Sequence, residues 1–411
     1  AVSGWDARRV AASLSNWGYP ISFGEGETKV NIKTTLKTSV AAAALFAVAV
    51  PSVEAGTVSN GNGNSVTLSG QVSKAIFYVD DGKDSRSAIG DNDNSGSRFR
   101  ILGSGKVNEA LSVGTALEVE FQDNALNNFS VDDSNAASSG AGDSGFGQSS
   151  FTQRRMEAYF NHKQFGKLSI GQGPTASDGT AEVSLSGAGM AAGGGFLFNG
   201  TDVKIRTANQ ANNVFGSKTW GDVTTNLDGG SRSDRVRYDT PTFAGFQVSG
   251  SAISGGAGDV AVRYSGKFGG VAVKGAASYY NQSSLSTTTN DQWVVSAAAE
   301  HDSGLNVRGQ YGKADMIGTN RDDINIWSIG VGYDASLTSL GTTSFVTSYT
   351  RNDNVSANDD EATYYDFGVN QAISDVGTEL YLGVTFLEFD DAGATNYEDA
   401  MWVLAGTRIK F

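Results

Sequence analysis

"LSVGTALEVEF", Leu111 to Phe121, alternates residue by residue: Leu111, Val113, Leu117, Val119 and Phe121 fall at one parity, and Ser112, Gly114, Ala116, Glu118 and Glu120 at the other. Successive side chains of a strand point to opposite faces, so the run has one apolar face and one polar face. "SVTLSGQVS" repeats the pattern, with Val66, Leu68 and Val72 opposing Thr67, Ser69, Gln71 and Ser73. The last segment, "MWVLAGTRIKF", sets Val403, Ala405, Ile409 and Phe411 against Arg408 and Lys410. Segments of about ten residues of this kind, separated by polar, Gly-rich or Asp-rich stretches, are the signature of a transmembrane antiparallel β-barrel. One face then meets lipid and the other water.

A soluble β-sandwich also alternates, and the connections separate the two. Strands are predicted at 64–80, 96–106, 110–123, 150–162, 166–173, 232–240, 243–253, 259–267, 271–280, 291–301, 305–314, 324–334, 342–351, 362–373, 378–389 and 400–411, sixteen in all. Every second connection is short ("SGKVN", "KQFG", "TPTFAG", "FGG", "DSG", "SDVG"), and those between are longer and rich in Asp and Asn ("DDGKDSRSAIGDNDNSG", "RNDNVSANDDEA"). Bacterial outer-membrane barrels have this asymmetry, with short periplasmic turns and long external loops. "GGGFLFNGTDVKIRTA" has strand character, but counting it puts the termini on opposite sides and makes "TPTFAG" an outer loop. It is rejected as a spanning strand, so residues 174–231 become one long third loop. Loops of that length are usually functional or disordered, and inside a barrel such a loop has room to fold inward.

"VNIKTTLKTSVAAAALFAVAVPSVEAG", Val30 to Gly56, has a different logic. Lys33 and Lys37 give a positive flank, Val40 to Val50 are eleven apolar residues in a row, and Val-Glu-Ala ends the stretch at Ala55. That is a secretory signal peptide over 30–55, cleaved between Ala55 and Gly56. It is too short to span a bilayer as a helix, which takes about 20 apolar residues. Residues 1–29 show no periodicity and no targeting logic, and are expected to be an upstream extension foreign to the native protein. Taking away residues 1–55 removes five of the 30 basic residues and four of the 44 acidic ones, leaving 356 residues, the barrel domain 56–411, with a formal charge of −15. An acidic exported chain lacks the basic face that nucleic acid needs. With no cysteine it has no disulfide, thiolate metal site or cysteine nucleophile.

The phrases "NSVTLSGQVSKAIFYVDDG", "SRFRILGSG", "FGKLSIGQG", "SDRVRYDTPTFAGF", "VRYSGKFGG" and "AGTRIKF" span 64–411. In them the chain resembles the general diffusion porins of Gram-negative bacteria, the alphaproteobacterial ones especially. The resemblance implies a homotrimer of sixteen-stranded barrels in the outer membrane, in contact with lipid and lipopolysaccharide. It implies passive diffusion of small hydrophilic solutes and ions, with the third loop folded into the lumen and its acidic residues facing a ladder of basic wall residues. Carried over residue by residue, Asp178 and Glu182 of "GPTASDGTAEVSLSG" form the acidic side. Arg98 and Arg100, opposite Phe99 and Ile101, and Arg235 and Arg237, opposite Val236 and Tyr238, form the basic wall. "FTQRRMEAYF" departs from the family's single arginine: of Arg154 and Arg155 one must face outward unless the strand bulges, and which is lumenal stays open. Gln71 stands where some relatives carry lysine. Phe411 resembles the terminal signal read by the barrel assembly machinery. Selectivity is expected to be mild and to lean towards cations, with Glu118 and Glu120 as further candidates for the acidic count.

Other residues are ambiguous at this level. Lys74 shares a parity with Val72 and Ile76, where a lipid-facing lysine costs about 2–4 kcal/mol at the midplane; burial at a trimer contact or a local bulge explains it better. "DNDN" and "NDD" have the composition of divalent-cation sites bridging lipopolysaccharide and equally of a hydrated loop; no resident cofactor is expected. The chain has two histidines, His162 and His301, both at turn ends of strands and far apart in sequence, so no base stands beside a nucleophile and no enzyme is expected. A non-conducting barrel acting as an adhesin or surface-binding protein is the alternative. Mass spectrometry of the native protein should find Gly56 at the mature N-terminus, and peptides from 1–29 would refute the assignment.

Overall fold

The computed structural model describes residues 56–59, 63–131, 150–192, 196–208, 215–318, 320–393 and 395–411, all within the unit Ala49–Phe411. The proposed upstream extension and signal peptide, Ala55 included, lie outside the described residues. In chain order the first strands are β1 Gly56–Ser59, β2 Asn64–Asp80, β3 Ser85–Asp91, β4 Arg98–Lys106, β5 Leu111–Gln122, β6 Ser150–His162 and β7 Gly166–Pro174. Then come β8 Lys204–Arg206, β9 Phe215–Thr219, β10 Arg232–Asp239, β11 Phe246–Ile253, β12 Gly258–Phe268 and β13 Val271–Asn281. The last are β14 Thr289–His301, β15 Leu305–Met316, β16 Ile324–Thr338, β17 Gly341–Asp353, β18 Glu361–Ile373, β19 Thr378–Asp390 and β20 Ala400–Lys410. Sixteen of these form the wall: β2, β4 to β7 and β10 to β20 pair antiparallel in sequence order, and β20 returns to β2 from Gln71↔Lys410 to Asp80↔Met401. The barrel is closed, and its strands match the predicted set.

Parity explains the wall. Val66, Leu68, Val72, Ile76, Leu117, Phe121, Ile170, Val236, Val260 and Ile409 are exposed on the outer face, while Glu118, Arg235, Asp259, Gln292, Ser296, Gln310 and Asn370, at the opposite parity, are buried inside. The connections keep their asymmetry, with one exception: 254–257, on the long-loop side, is only four residues. The rejected seventeenth strand is no wall strand, because β7 pairs directly with β10 and β8 pairs with β9 in a separate ribbon.

Two strands of the main sheet were not foreseen. The first long loop turns back as β3, so that the outer half of β2 pairs with β3 and the inner half with β4. This brings Asp91, fully buried, to 2.7 Å from the Lys74 ammonium. An outward lysine is thereby neutralised within its own barrel, with no need of a bulge. The rest of "DNDN" is held by internal hydrogen bonds: the Asp93 carboxylate accepts from Gln122 and from the Asn127 N–H, and Asn92 and Asn94 donate to the Met190 carbonyl. β1 is the second addition. It pairs with β2 from Gly56↔Leu68 to Ser59↔Ser65, while Phe411 and Gly70 exchange backbone hydrogen bonds of 2.7 and 3.0 Å. β1 thus continues the line of β20 along β2. A side chain on Gly70 would meet the Phe411 ring at 2.5 Å, so only glycine leaves the terminal aromatic its seat.

The interior is not uniformly polar. Phe77, Val79, Leu387, Phe389, Trp402 and Leu404 of β2, β19 and β20 face inward and form one buried cluster with Leu126, Phe129, Val203, Ile205, Trp220 and Val223. Residues 196–208 and 215–224 therefore fold as a plug on this part of the wall, comprising the β8–β9 ribbon and the short helix α2, Trp220–Val223; α1, Gly189–Ala192, precedes it. Each fully buried side chain of this kind contributes about 1.5–3 kcal/mol. The plug is also clamped by charge, for the fully buried Arg206 guanidinium lies 2.6 Å from Asp81 and 2.7 Å from Asp84 in the β2–β3 turn. Removing one partner of a buried pair costs about 3–5 kcal/mol because the other charge is left uncompensated. Arg206→Met should accordingly speed hydrogen exchange in 200–208 and 215–222 by two orders of magnitude or more while the wall strands stay protected; unchanged exchange there would refute the clamp.

Candidate functional site

Residues 175–192 and 225–231 run along the inner face of the wall, and their hydrogen bonds trace the route. Asp259 of β12 accepts from the Ala176 and Ser177 N–H groups at 3.2 and 2.8 Å. Ser296 of β14 donates to the Thr180 carbonyl, and Asp334 of β16 accepts from the Gly187 N–H. Asn370 of β18 donates to the Gly187 carbonyl. On the return, Thr225 donates to Asn352 of β17, and the Asn226 and Leu227 carbonyls accept from Gln310 of β15 and Gln292 of β14. The segment is laid against β12 to β19, and the plug covers β19, β20 and β2. The inner face from β4 to β10 carries the predicted arginines.

Each of those arginines is found on the inner face, and each has a carboxylate partner. Arg98 and Arg100 lie 3.6 and 3.7 Å from Glu118. Arg154 donates to Glu118 at 2.7 Å and also pairs with Glu120. The open question about Arg154 and Arg155 is answered by a β-bulge: Glu118 pairs with Arg155 and Val119 with Gln153, leaving Arg154 as the extra residue. A bulge resets parity, so Phe151 faces outward before it and Met156 and Phe160 after it. Both arginines consequently point inward, Arg155 to Glu157. Glu157 also holds Arg235, and the pair is buried. Gly173 makes room for it, since a side chain there would meet both partners at 2.9 Å. Arg235 donates to the Gly171 and Pro174 carbonyls at 2.7 and 3.0 Å, and Arg237 to the Thr175 carbonyl at 2.6 Å and to Asp239 at 2.7 Å. These two arginines thus fasten the departure of the long loop as well as lining the wall. A cavity of about 420 Å³ opens beside Ser69, Gln71, Arg98, Arg100, Glu118 and Lys410.

On the loop, Asp178 and Glu182 are joined by a carboxylate that the sequence reading missed. Asp228 accepts from the Gly179 and Ala181 N–H groups at 2.7 and 2.8 Å, and Asn226 donates to Glu182 at 3.2 Å. The Asp178 carbonyl accepts from Arg263 of β12 at 2.7 Å. Burial, then the Glu182 and Asp178 charges, push the Asp228 carboxyl up to about 8. Burial and Asp178 raise Glu182 as well, although its side chain is open to interior water. Also missed were Glu157 and Asp239, the counter-charges of the wall, and Arg308, stacked 5.2 Å from the Phe196 ring centroid. Arg263 and Arg308 were legible by parity, alternating with Val262 and Val307; Glu157 was hidden by the bulge and Asp228 by a turn-like "NLDGG". The two histidines cap turns: His162 Nδ1 accepts from the Gln164 and Phe165 N–H groups, and His301 Nδ1 lies 2.9 Å from Ser303 Oγ. Among the described residues no group of three or more His, Cys, Asp or Glu side chains has metal-binding geometry.

A family model described as Gram-negative porin matches residues 38–392. No curated protein matches the chain. Among solved structures, the anion-selective porin from Comamonas acidovorans is similar over 85% of this chain and 100% of its own, at 20% identity and a TM-score of 0.54. In-vitro folded OmpT of Vibrio cholerae matches 87% of this chain and all of its own at 14% identity and a TM-score of 0.54. OmpF of Salmonella typhi, in a complex with daunomycin, does so at 12% identity and 0.53, with 87% and 100% covered. At such identities the likeness is one of fold.

The Glu157 network gives a test. Glu157→Gln leaves the buried Arg235 and its neighbour Arg155 without their counter-charge, at a cost of about 3–5 kcal/mol. The folded barrel should melt at a lower temperature in detergent, and an unchanged melting temperature would show that the pair is not buried as described.

Proposed function

The chain belongs to the Gram-negative porins, and from that premise we propose how its interior shapes the passage. It is a passive outer-membrane porin, and solutes diffuse through the water inside the barrel. The long-loop end faces outward and the short turns face the periplasm. Residues 175–192 and 225–231 narrow the lumen, leaving the path between the loop carboxylates Asp178 and Glu182 and the wall of Arg98, Arg100, Arg154, Arg155, Arg235 and Arg237. The observation that carries this reading is the route of the loop, hydrogen-bonded along β12 to β18 and leaving the arginine-bearing face from β4 to β10 opposite it.

Charges within a low-dielectric constriction act on the ion path directly, whereas those beyond about 8 Å are largely screened at physiological salt. The six arginines face Glu118, Glu120, Glu157 and Asp239 at close range, so most of their field is spent locally. Selectivity is therefore mild and leans towards cations. Small hydrophilic solutes pass, while apolar ones are disfavoured because they must displace water ordered between opposite charges. The protein works as a homotrimer in lipid and lipopolysaccharide, is assembled through a signal that includes Phe411, and is not an enzyme: each histidine serves a turn. Cleavage after Ala55 suits the seat of Gly56, two ladder positions from Phe411 on β2, where upstream chain would have to leave the wall.

In a planar bilayer the purified protein should open in discrete conductance steps, and silence would favour a closed, surface-binding barrel. Asp178→Asn with Glu182→Gln should move the zero-current potential towards anions in a salt gradient, most strongly in dilute salt; no movement would remove both residues from the path.

A further inference from the structure

The turn that carries Asp178 and Glu182 has no regular secondary structure of its own, so something else must hold it. Two of its amides, Gly179 and Ala181, point at the two oxygens of one carboxylate, Asp228, on the returning limb of the same loop. That limb is fixed from behind. Thr225, Asn226 and Leu227 are bonded to Asn352, Gln310 and Gln292 of three wall strands. Leu227 is held at φ 52°, a conformation that a branched side chain adopts only where its surroundings impose it. The Leu227 side chain is buried against Ala314, Ile324 and Ile326, which supplies that imposition. The Asp228 carboxylate is thus presented to the turn by a pinned and strained neighbour.

We propose that Asp228 is the positioning residue of the pore's acidic side, holding the Asp178–Glu182 turn against the path and adding a third negative charge there. The proposal rests on the reading that this turn lines the passage. A carboxylate offers both amides an acceptor. An asparagine offers one oxygen, and its NH₂ meets the second amide donor to donor. Geometry and charge are therefore set by one group.

The groups around it fix the sign of a pH response. Asp178 and Glu182 lie beside it on the loop, Arg263 of β12 is bonded to the turn, and Arg232, Arg308 and Arg154 act on Glu182 from β10, β15 and β6. A guanidinium does not ordinarily lose its proton in a protein, so the carboxylates supply any change. Crowding and burial raise Asp228 and Glu182; the charged form is full above the raised value and is lost as pH falls through it. Cation preference should be strongest near pH 9 and weaken towards pH 6.5.

Two measurements on the full-length porin test this: the zero-current potential in a potassium chloride gradient from pH 6 to 9.5, and hydrogen exchange of peptides covering 174–186. For the native protein the potential should move towards anions as pH falls. Asp228→Asn should flatten that step and speed exchange at the turn about tenfold, the effect of losing one charge-assisted hydrogen bond. Asp228→Glu should restore part of both. A pH step that survives Asp228→Asn, or exchange that does not change, overturns the proposal. If Asp178→Asn with Glu182→Gln leaves the potential unmoved, the path has been misassigned. The exchange measurement still decides in that case whether Asp228 holds the turn.

Discussion

A polypeptide in hydrocarbon has no water to satisfy its amides, and every backbone N–H and C=O in the bilayer must find a partner within the protein. This constraint governs the molecule. Sixteen strands satisfy each other in sequence order, and one seam, β20 on β2, removes the last free edge. The seam ends where Phe411 and Gly70 exchange hydrogen bonds, and β1 takes over the same edge of β2 two positions further on. Closure thus depends on a glycine small enough to accept an aromatic ring.

A closed wall creates an interior with its own energetics. Charged groups there are partly shielded from water and must be paired, and the six arginines of the β4–β10 face meet Glu118, Glu120, Glu157 and Asp239 accordingly. The same pairing tempers what the wall does to a passing ion, because a guanidinium already bonded to a carboxylate projects little net field. The loop carboxylates are crowded by one another and lack such close partners.

Part of the interior is a second core. Apolar residues at inward parity on β2, β19 and β20 are unsuited to a water-filled lumen, and they are covered by the plug built from 196–208 and 215–224. The Arg206 clamp and the Leu126 and Asn127 carbonyls, which accept from the Gly200 and Asp202 N–H groups, fix that plug to the outer loops.

Alternation in the chain determined the wall by itself: a period of two with apolar and polar faces has one stable arrangement in a bilayer, and the short turns set the strand order. The arginine faces followed from the same parity wherever strands are regular. Parity is a local rule, and it failed where the backbone departs from regularity. The bulge that turns both Arg154 and Arg155 inward, the return of β3 that brings Asp91 to Lys74, and the meeting of Asp228 with the amides of a turn 47 and 49 residues earlier all depend on contacts between distant segments. Their energies come from burial and pairing that exist only once the barrel has closed, and so only the tertiary structure decided them.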